Sequence, residues 1–195
     1  MKKWIVSLLV ILILCGIRFV DPWFLDMVPM KALDQHQRNQ EIQSLTNLAT
    51  VEINNETIKE KGQWPWDRNT LSNEIIRLYQ KGAGMVVLPM LFADPDRDGK
   101  DEIFARTLKS TPTIIGQIPT NDNSNSGVVR GVATVGDDWS PWVYRYSGAI
   151  GPTTELANNA NAVGMMIIAP EKDGVVRRMP LVVAVNDKLH PSMSM

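Results

Sequence analysis

Three short stretches hold the residues whose types and spacing could do chemistry. The first is GQWPWDR, residues 62–68, in which two of the six tryptophans flank a proline and are followed by an acid and a base. Proline fixes its own φ and pushes the preceding residue toward extended backbone, so Trp64-Pro65 cannot lie within a helix and must form a rigid corner. Two readings are open. The indoles of Trp64 and Trp66 shield core edges while Asp67 or Asn69 caps a following helix or Asp67 pairs with Arg68, or the indoles make a stacking platform for a small ligand, with Asp67 and Arg68 beside them as further ligand-binding candidates.

The second stretch, DPDRDGKDE, residues 94–102, opens as D-x-D-x-D-G, like the start of a calcium loop, with carboxylates at alternate positions to wrap a hard cation. The bidentate glutamate of such a loop has no counterpart, because Ala105 stands at its position, and Asp101 and Glu102 serve equally as acids of a helix's first turn. No metal and no cofactor are therefore expected, and Asp94, Asp96 and Arg97 join the ligand-binding candidates. The third is the pair Arg177-Arg178 in an apolar run that reads as a strand. Adjacent strand residues face opposite ways, so one guanidinium should be at least partly buried and need an anion, either an internal carboxylate such as Asp67, Asp94 or Asp96, or an anionic ligand.

Catalytic signatures are missing. There is no phosphate-binding or dinucleotide glycine loop, no H-E-x-x-H and no nucleophile elbow, and the two histidines, His36 and His190, lie near the two ends of the chain. No catalytic residue is assigned. A formal charge of -1, from 20 basic and 21 acidic residues, speaks against nucleic acid as a partner. The lone Cys15 excludes an intrachain disulfide and a cysteine zinc cluster.

The elements that must position these residues follow from periodicity. Lys2 and Lys3 precede an apolar run, residues 4–17, that ends at Arg18. Its length lies under the roughly 17–25 residues a span needs unless Arg18 snorkels, and its charge layout suits an uncleaved signal anchor more than a cleaved peptide. We read residues 1–20 as a transmembrane anchor, 21–47 as a juxtamembrane helical segment with Trp23 and Phe24 near the headgroups, and 48–195 as a domain outside the membrane. A 44% hydrophobic content gives that domain a core.

Within it, residues 49–54 read as a short strand, and Leu71, Ile75 and Leu78 recur at helical spacing before Gly82. Residues 84–92 read as a strand buried on both faces, with Pro89 at a bulge or strand end; 101–110 as a helix; and 113–118 as a further strand. The alternation predicts an α/β fold with a mixed, mainly parallel central sheet flanked by helices. NDNSNSG, from residue 121, reads as an exposed loop, and Trp139, Trp142, Tyr144 and Tyr146 as either a ligand wall or a lid on the core. After a short helix in TELANNA, the Asp173-Gly174 turn between apolar runs predicts a C-terminal antiparallel hairpin.

These stretches together carry a resemblance. GQWPWDR, the glycine-apolar-LF run ending in ADPDR, DGVVRRMPL and LHPS, in this order after DPWFLDMVPMKALDQHQR and VEIN, resemble the second type of CHASE domain, a module associated with cyclases and histidine kinases. The resemblance covers most of residues 21–192. It implies an extracytoplasmic sensory domain of a membrane signal-transduction receptor, facing the periplasm or cell exterior and binding a small ligand or a partner. It also implies a homodimer, and a catalytic output in further segments that family members carry beyond the position of Met195. The alternative is a membrane-anchored structural or protein-interaction module.

Overall fold

The computed structural model describes residues 2–20, 23–41, 47–123, 127–129, 132, 134–136 and 138–195; the side chains of residues 2, 3, 18, 20, 23–26 and 28 lie outside the description. Two units separate, Met1–Glu52 and Ile53–Met195.

In the first unit, α1 runs Lys2–Val20 and α2 runs Trp23–Arg38 with Pro29 inside it. At 1.5 Å per residue the 19 residues of α1 span about 28 Å. Its large apolar side chains from Trp4 to Ile17 are exposed. Among the described residues, no helix is long and apolar enough to cross a membrane. The snorkelling expected of Arg18, and the headgroup positions expected of Trp23 and Phe24, lie outside the described side chains.

The stretch that runs from the end of the first unit into the second is a departure. Residues 49–54 form no strand: the Asn54 side chain instead accepts from the amides of Glu56 (3.1 Å) and Thr57 (3.0 Å) and starts α3, Asn55–Lys61. The polar N-N-E-T segment is thus a helix cap, and Val51 finds no ladder partner and stays exposed. The GQWPWDR corner consequently joins two helices rather than a strand and a helix. Its second helix, α4 (Arg68–Gln80), buries Leu71, Ser72 and Ile75. It stops at Gly82, φ 95°, with paired bonds from Ala83 N to Leu78 O (3.1 Å) and from Gly82 N to Tyr79 O (2.9 Å).

The parallel core of the first sheet is β1 (Val86–Leu91), β2 (Thr113–Thr120) and β5 (Ala162–Met165), with β2 central. β4 (Gly148–Ile150) adds antiparallel to the far end of β2. β1 is an edge strand whose faces alternate between buried and exposed, contrary to the two-sided burial expected of it. Pro89, which has no N–H to give a ladder, falls where the register shifts between Leu88 and Leu91, as expected. The crossover α5 (Asp101–Ser110) lies against α4 and against α6 (Thr154–Asn159). Together they cover Ile115 and Val163 with Leu71, Ile75, Phe104, Leu108 and Leu156.

The second sheet is β3 (Arg145–Tyr146), β6 (Val182–Val185) and β7 (Lys188–Pro191). An antiparallel hairpin does close the chain, but it is β6–β7, turning through Asn186 and Asp187, both at positive φ as a tight two-residue turn requires. The Asp173-Gly174 turn also forms, with Gly174 N to Glu171 O at 2.9 Å and Glu171 N to Val175 O at 3.0 Å, yet its arms go no further into a strand ladder. Pro170 and Pro180 interrupt both arms, and Arg177 folds inward onto the turn. The sheets meet where Ser192 bridges Met165, and Gly164 is needed there because a Cβ would lie 2.8 Å from the Met193 Cα. A second apolar cluster, Ala149, Met165, Ile167, Val183 and Val185 with Tyr146 against it, fills this junction.

Candidate functional site

The corner is built around Arg68, the first residue of α4. Its side chain is 12% exposed, and its Nε donates to the Asp101 carboxylate at 3.0 Å. Nη2 donates to the Asp94 carbonyl at 3.0 Å. The guanidinium lies 4.6 Å above the Phe92 ring and 5.8 Å from that of Phe104, so the cation is held by one carboxylate, one carbonyl and two aromatic faces. Asp101 also accepts the Asp96 amide at 2.8 Å, and the Asp96 carboxylate accepts the Lys100 amide at 3.1 Å. The D-x-D-x-D-G loop therefore closes on its own backbone, with Gly99 at φ 67° making the turn. The Asp96 carboxylate is taken by an amide and Asp98 by Lys100 Nζ at 3.5 Å, while Asp94 meets Arg68 through its carbonyl; among the described residues, no group of three or more acid, histidine or cysteine side chains is placed to hold a metal ion.

Asp67 is the N-cap of α4, accepting from Asn69 N at 2.8 Å and Thr70 N at 3.0 Å. The Thr70 amide is the main cause that holds its carboxyl below the usual aspartate range, with Lys100 Nζ, 3.5 Å away, adding to it. Trp66 is buried and donates from Nε1 to the Gly62 carbonyl at 3.0 Å; Trp64 meets it edge-on with ring centres 5.5 Å apart. Trp66 belongs to the first core, and Trp64, partly buried, packs against it. Arg97 is exposed and makes no pair with a described residue.

The structure thus brings Trp64, Trp66, Asp67, Arg68, Asp94 and Asp96 together on neighbouring loops and leaves Arg97 free at the rim. Arg177 and Arg178 are not partners of these acids. Arg177 is 2% exposed and pairs with Glu171 (3.1 Å) and Asp173 (2.7 Å), whereas Arg178 is 84% exposed. The expectation of one inward and one outward arginine holds without a strand; the partners are local because the turn folds back on itself. The Arg177 hydrogen bond brings Asp173 down to about 2.

Of the expected aromatic cluster, Trp142 is 86% exposed and Tyr144 is exposed, while Tyr146 packs on the second core. Two surface depressions lie elsewhere. One, of 340 Å³, is lined by Asn121, Arg145 and Asp187, which form an ion pair, and their neighbours; the other, of 450 Å³, sits at the ends of α5 and α6. The first also takes in Tyr146 of the expected aromatic cluster and Asn121 of the expected loop; neither includes a residue of the GQWPWDR corner, the 94–102 loop or the Arg177-Arg178 pair. The NDNSNSG loop is described only in part, residues 124–126 lying outside the description.

Sequence reasoning missed one buried polar pair, Gln117 on β2 and His190 on β7, with Gln117 Nε2 3.3 Å from His190 Nδ1. The signal was present: VVAV, Asn-Asp, KLHP is a two-residue hairpin that sets His190 opposite the buried Val183.

No curated protein and no solved structure matches the chain. The CHASE2 domain family matches residues 7–195, nearly the whole length and a few residues into α1. The corner, the DGVVRR turn and the LHPS strand are thus parts of one domain, and the chain belongs to the CHASE2 family of extracellular sensory domains.

Proposed function

We propose that this chain is the input domain of a membrane signal-transduction receptor, anchored by α1 and sensing a small ligand at the corner around residues 92–100. One observation carries the ligand reading. Open parallel α/β sheets bind ligands outside the carboxyl ends of their strands, and the loop holding Asp94, Asp96 and Arg97 follows the carboxyl end of β1. Arg68 and Asp101 hold that loop to the starts of α4 and α5, so a ligand gripping Arg97 would bias how these helices seat on the sheet. Anchoring is supported by α1 being apolar and exposed along residues 4–17, the property of a helix meant for lipid. In this reading the domain senses and does not itself catalyse.

The test is a thermal-shift panel on the detergent-solubilised chain with inorganic phosphate, sugar phosphates and dicarboxylates. A compound at about 100 times its Kd should stabilise by about 2.7 kcal/mol, and Arg97→Ala should abolish the shift without changing the unliganded Tm. If no anion shifts the wild type, or if Arg97→Ala leaves the shift intact, the ligand reading fails. A second reading, a protein-interaction module, is favoured by the exposure of Trp142 and Tyr144. Crosslinking in membranes that recovers only monomer, with or without Trp142→Ala, would count against it.

A further inference from the structure

Gln117 and His190 are fully buried at the junction of the two sheets, and the Gln117 amide is oriented by backbone. Its Oε1 accepts the Val128 N–H at 2.9 Å and its Nε2 donates to the Val128 carbonyl at 3.0 Å. Turning the amide over would set N–H against N–H and oxygen against oxygen, so the Val128 peptide fixes which end faces His190. The second hydrogen of Nε2 therefore points at His190 Nδ1, 3.3 Å away, and Nδ1 must be the acceptor. The proton of the neutral ring then sits on Nε2, which has no hydrogen-bond partner among the described residues.

A further proton has only Nδ1 to go to, and there it would meet an N–H of Gln117. The Val128 carbonyl beside the ring favours the charged form, but burial outweighs it. The charged side chain that acts on the ring is Lys188, on the same strand, and it repels a second charge. Around His190, β2 contributes Gln117, β6 Val183 opposite it in the hairpin, and the loop Gly127 and Val128, none of them titratable; Tyr146 of β3 packs on the apolar cluster to which Val183 belongs. Gly127 lets the loop close over the pair: at φ 68°, a Cβ there would lie 3.0 Å from Gln117 Oε1 and 3.2 Å from His190 Cε1.

We propose that Gln117, His190 and the Val128 peptide form a proton-operated latch, in which neutral His190 keeps residues 127–129 on the sheet and its protonation releases them. The latch does not depend on a ligand at the corner. Burial sets the pKa of His190 below the ordinary histidine value, so the opened state binds the extra proton more readily than the closed one. The latch is then fully engaged above about pH 6.5 and weakens as pH falls from there to the lowered value, by up to about tenfold per pH unit. An extracellular domain meets such acidification directly.

The test uses the full chain in lipid nanodiscs, with histidine-selective NMR and hydrogen exchange between pH 7.5 and 5. The chain has two histidines, and His190→Gln assigns their signals. His190 should titrate below about 6.5, and the peptide containing Val128 should exchange about tenfold faster per pH unit in that window, beyond the intrinsic change, while peptides over residues 92–100 do not respond. In His190→Gln the acceleration should vanish. In Gln117→Met, which cuts the link but keeps the histidine, exchange at Val128 should be fast at every pH. A His190 signal titrating at or above the ordinary value, or acceleration at Val128 that is absent from the wild type or persists in His190→Gln, overturns the latch. Should neither variant fold, the wild-type titration and exchange decide it.

Discussion

Removing the carboxylate of Asp101 is the perturbation that should reveal how the corner is held. Arg68 and Asp101 are 12% and 14% exposed, joined at 3.0 Å, and Asp101 also accepts the Asp96 amide at 2.8 Å. Asp101→Ala leaves a largely buried guanidinium with one carbonyl and two aromatic faces, and leaves the Asp96 amide without its acceptor. Breaking a buried pair from one side costs about 3–5 kcal/mol, and the residual exposure together with the remaining Asp94 carbonyl and Phe92 contacts argues for the lower end, about 3 kcal/mol. For a domain of this size, that lowers Tm by about 6–12 °C. The assay is urea unfolding followed by tryptophan fluorescence, to which the buried Trp66 contributes. A double-mutant cycle with Arg68→Met should return a coupling above about 1.5 kcal/mol. A cost within about 0.5 kcal/mol, or a coupling no larger than that of exposed surface pairs, would refute the reasoning.

Asp67→Ala should cost about 1 kcal/mol by removing the cap of α4. Because the folded-state pKa of Asp67 is lowered, its contribution is present above the unfolded value near 3.9 and is lost as pH falls through the folded value, so the deficit of the variant should shrink in acid unfolding curves. The Asp173 carboxyl should titrate near 2 by carbon-detected NMR, and Arg177→Leu should move its midpoint upward; an unmoved midpoint would separate the two groups. Gly164→Ala should destabilise by about 1–3 kcal/mol in urea, since the new methyl meets the Met193 backbone; a neutral effect would mean that residues 192–195 do not sit on β5.

What could be read in advance was what local chemistry dictates. The Leu71 and Ile75 spacing, the Asp67 cap, the acids opening α5 and the break at Pro89 act within a few residues, and each appears where its pattern puts it. The strand expected over residues 49–54 failed because alternation does not supply a partner, and Asn54 had a better use as a cap. At the Asp173-Gly174 turn the sign of a hairpin was present, but prolines in the arms and the inward Arg177 diverted it, and the same chemistry reappeared at Asn186-Asp187. Within the corner, the meeting of Arg68 with Asp101 depends on how α4 and α5 pack, which no local pattern encodes. Gln117 and His190 lie 73 residues apart, so their meeting depends on how the two sheets join.

The most direct test of a membrane-anchored domain facing outward is labelling at the free rim of the corner. Arg97→Cys, in a Cys15→Ser background, places one exposed thiol there. In spheroplasts this chain should react with a membrane-impermeant maleimide before lysis and stay in the membrane pellet through carbonate washing. Labelling only after lysis, or release by carbonate, would contradict the account.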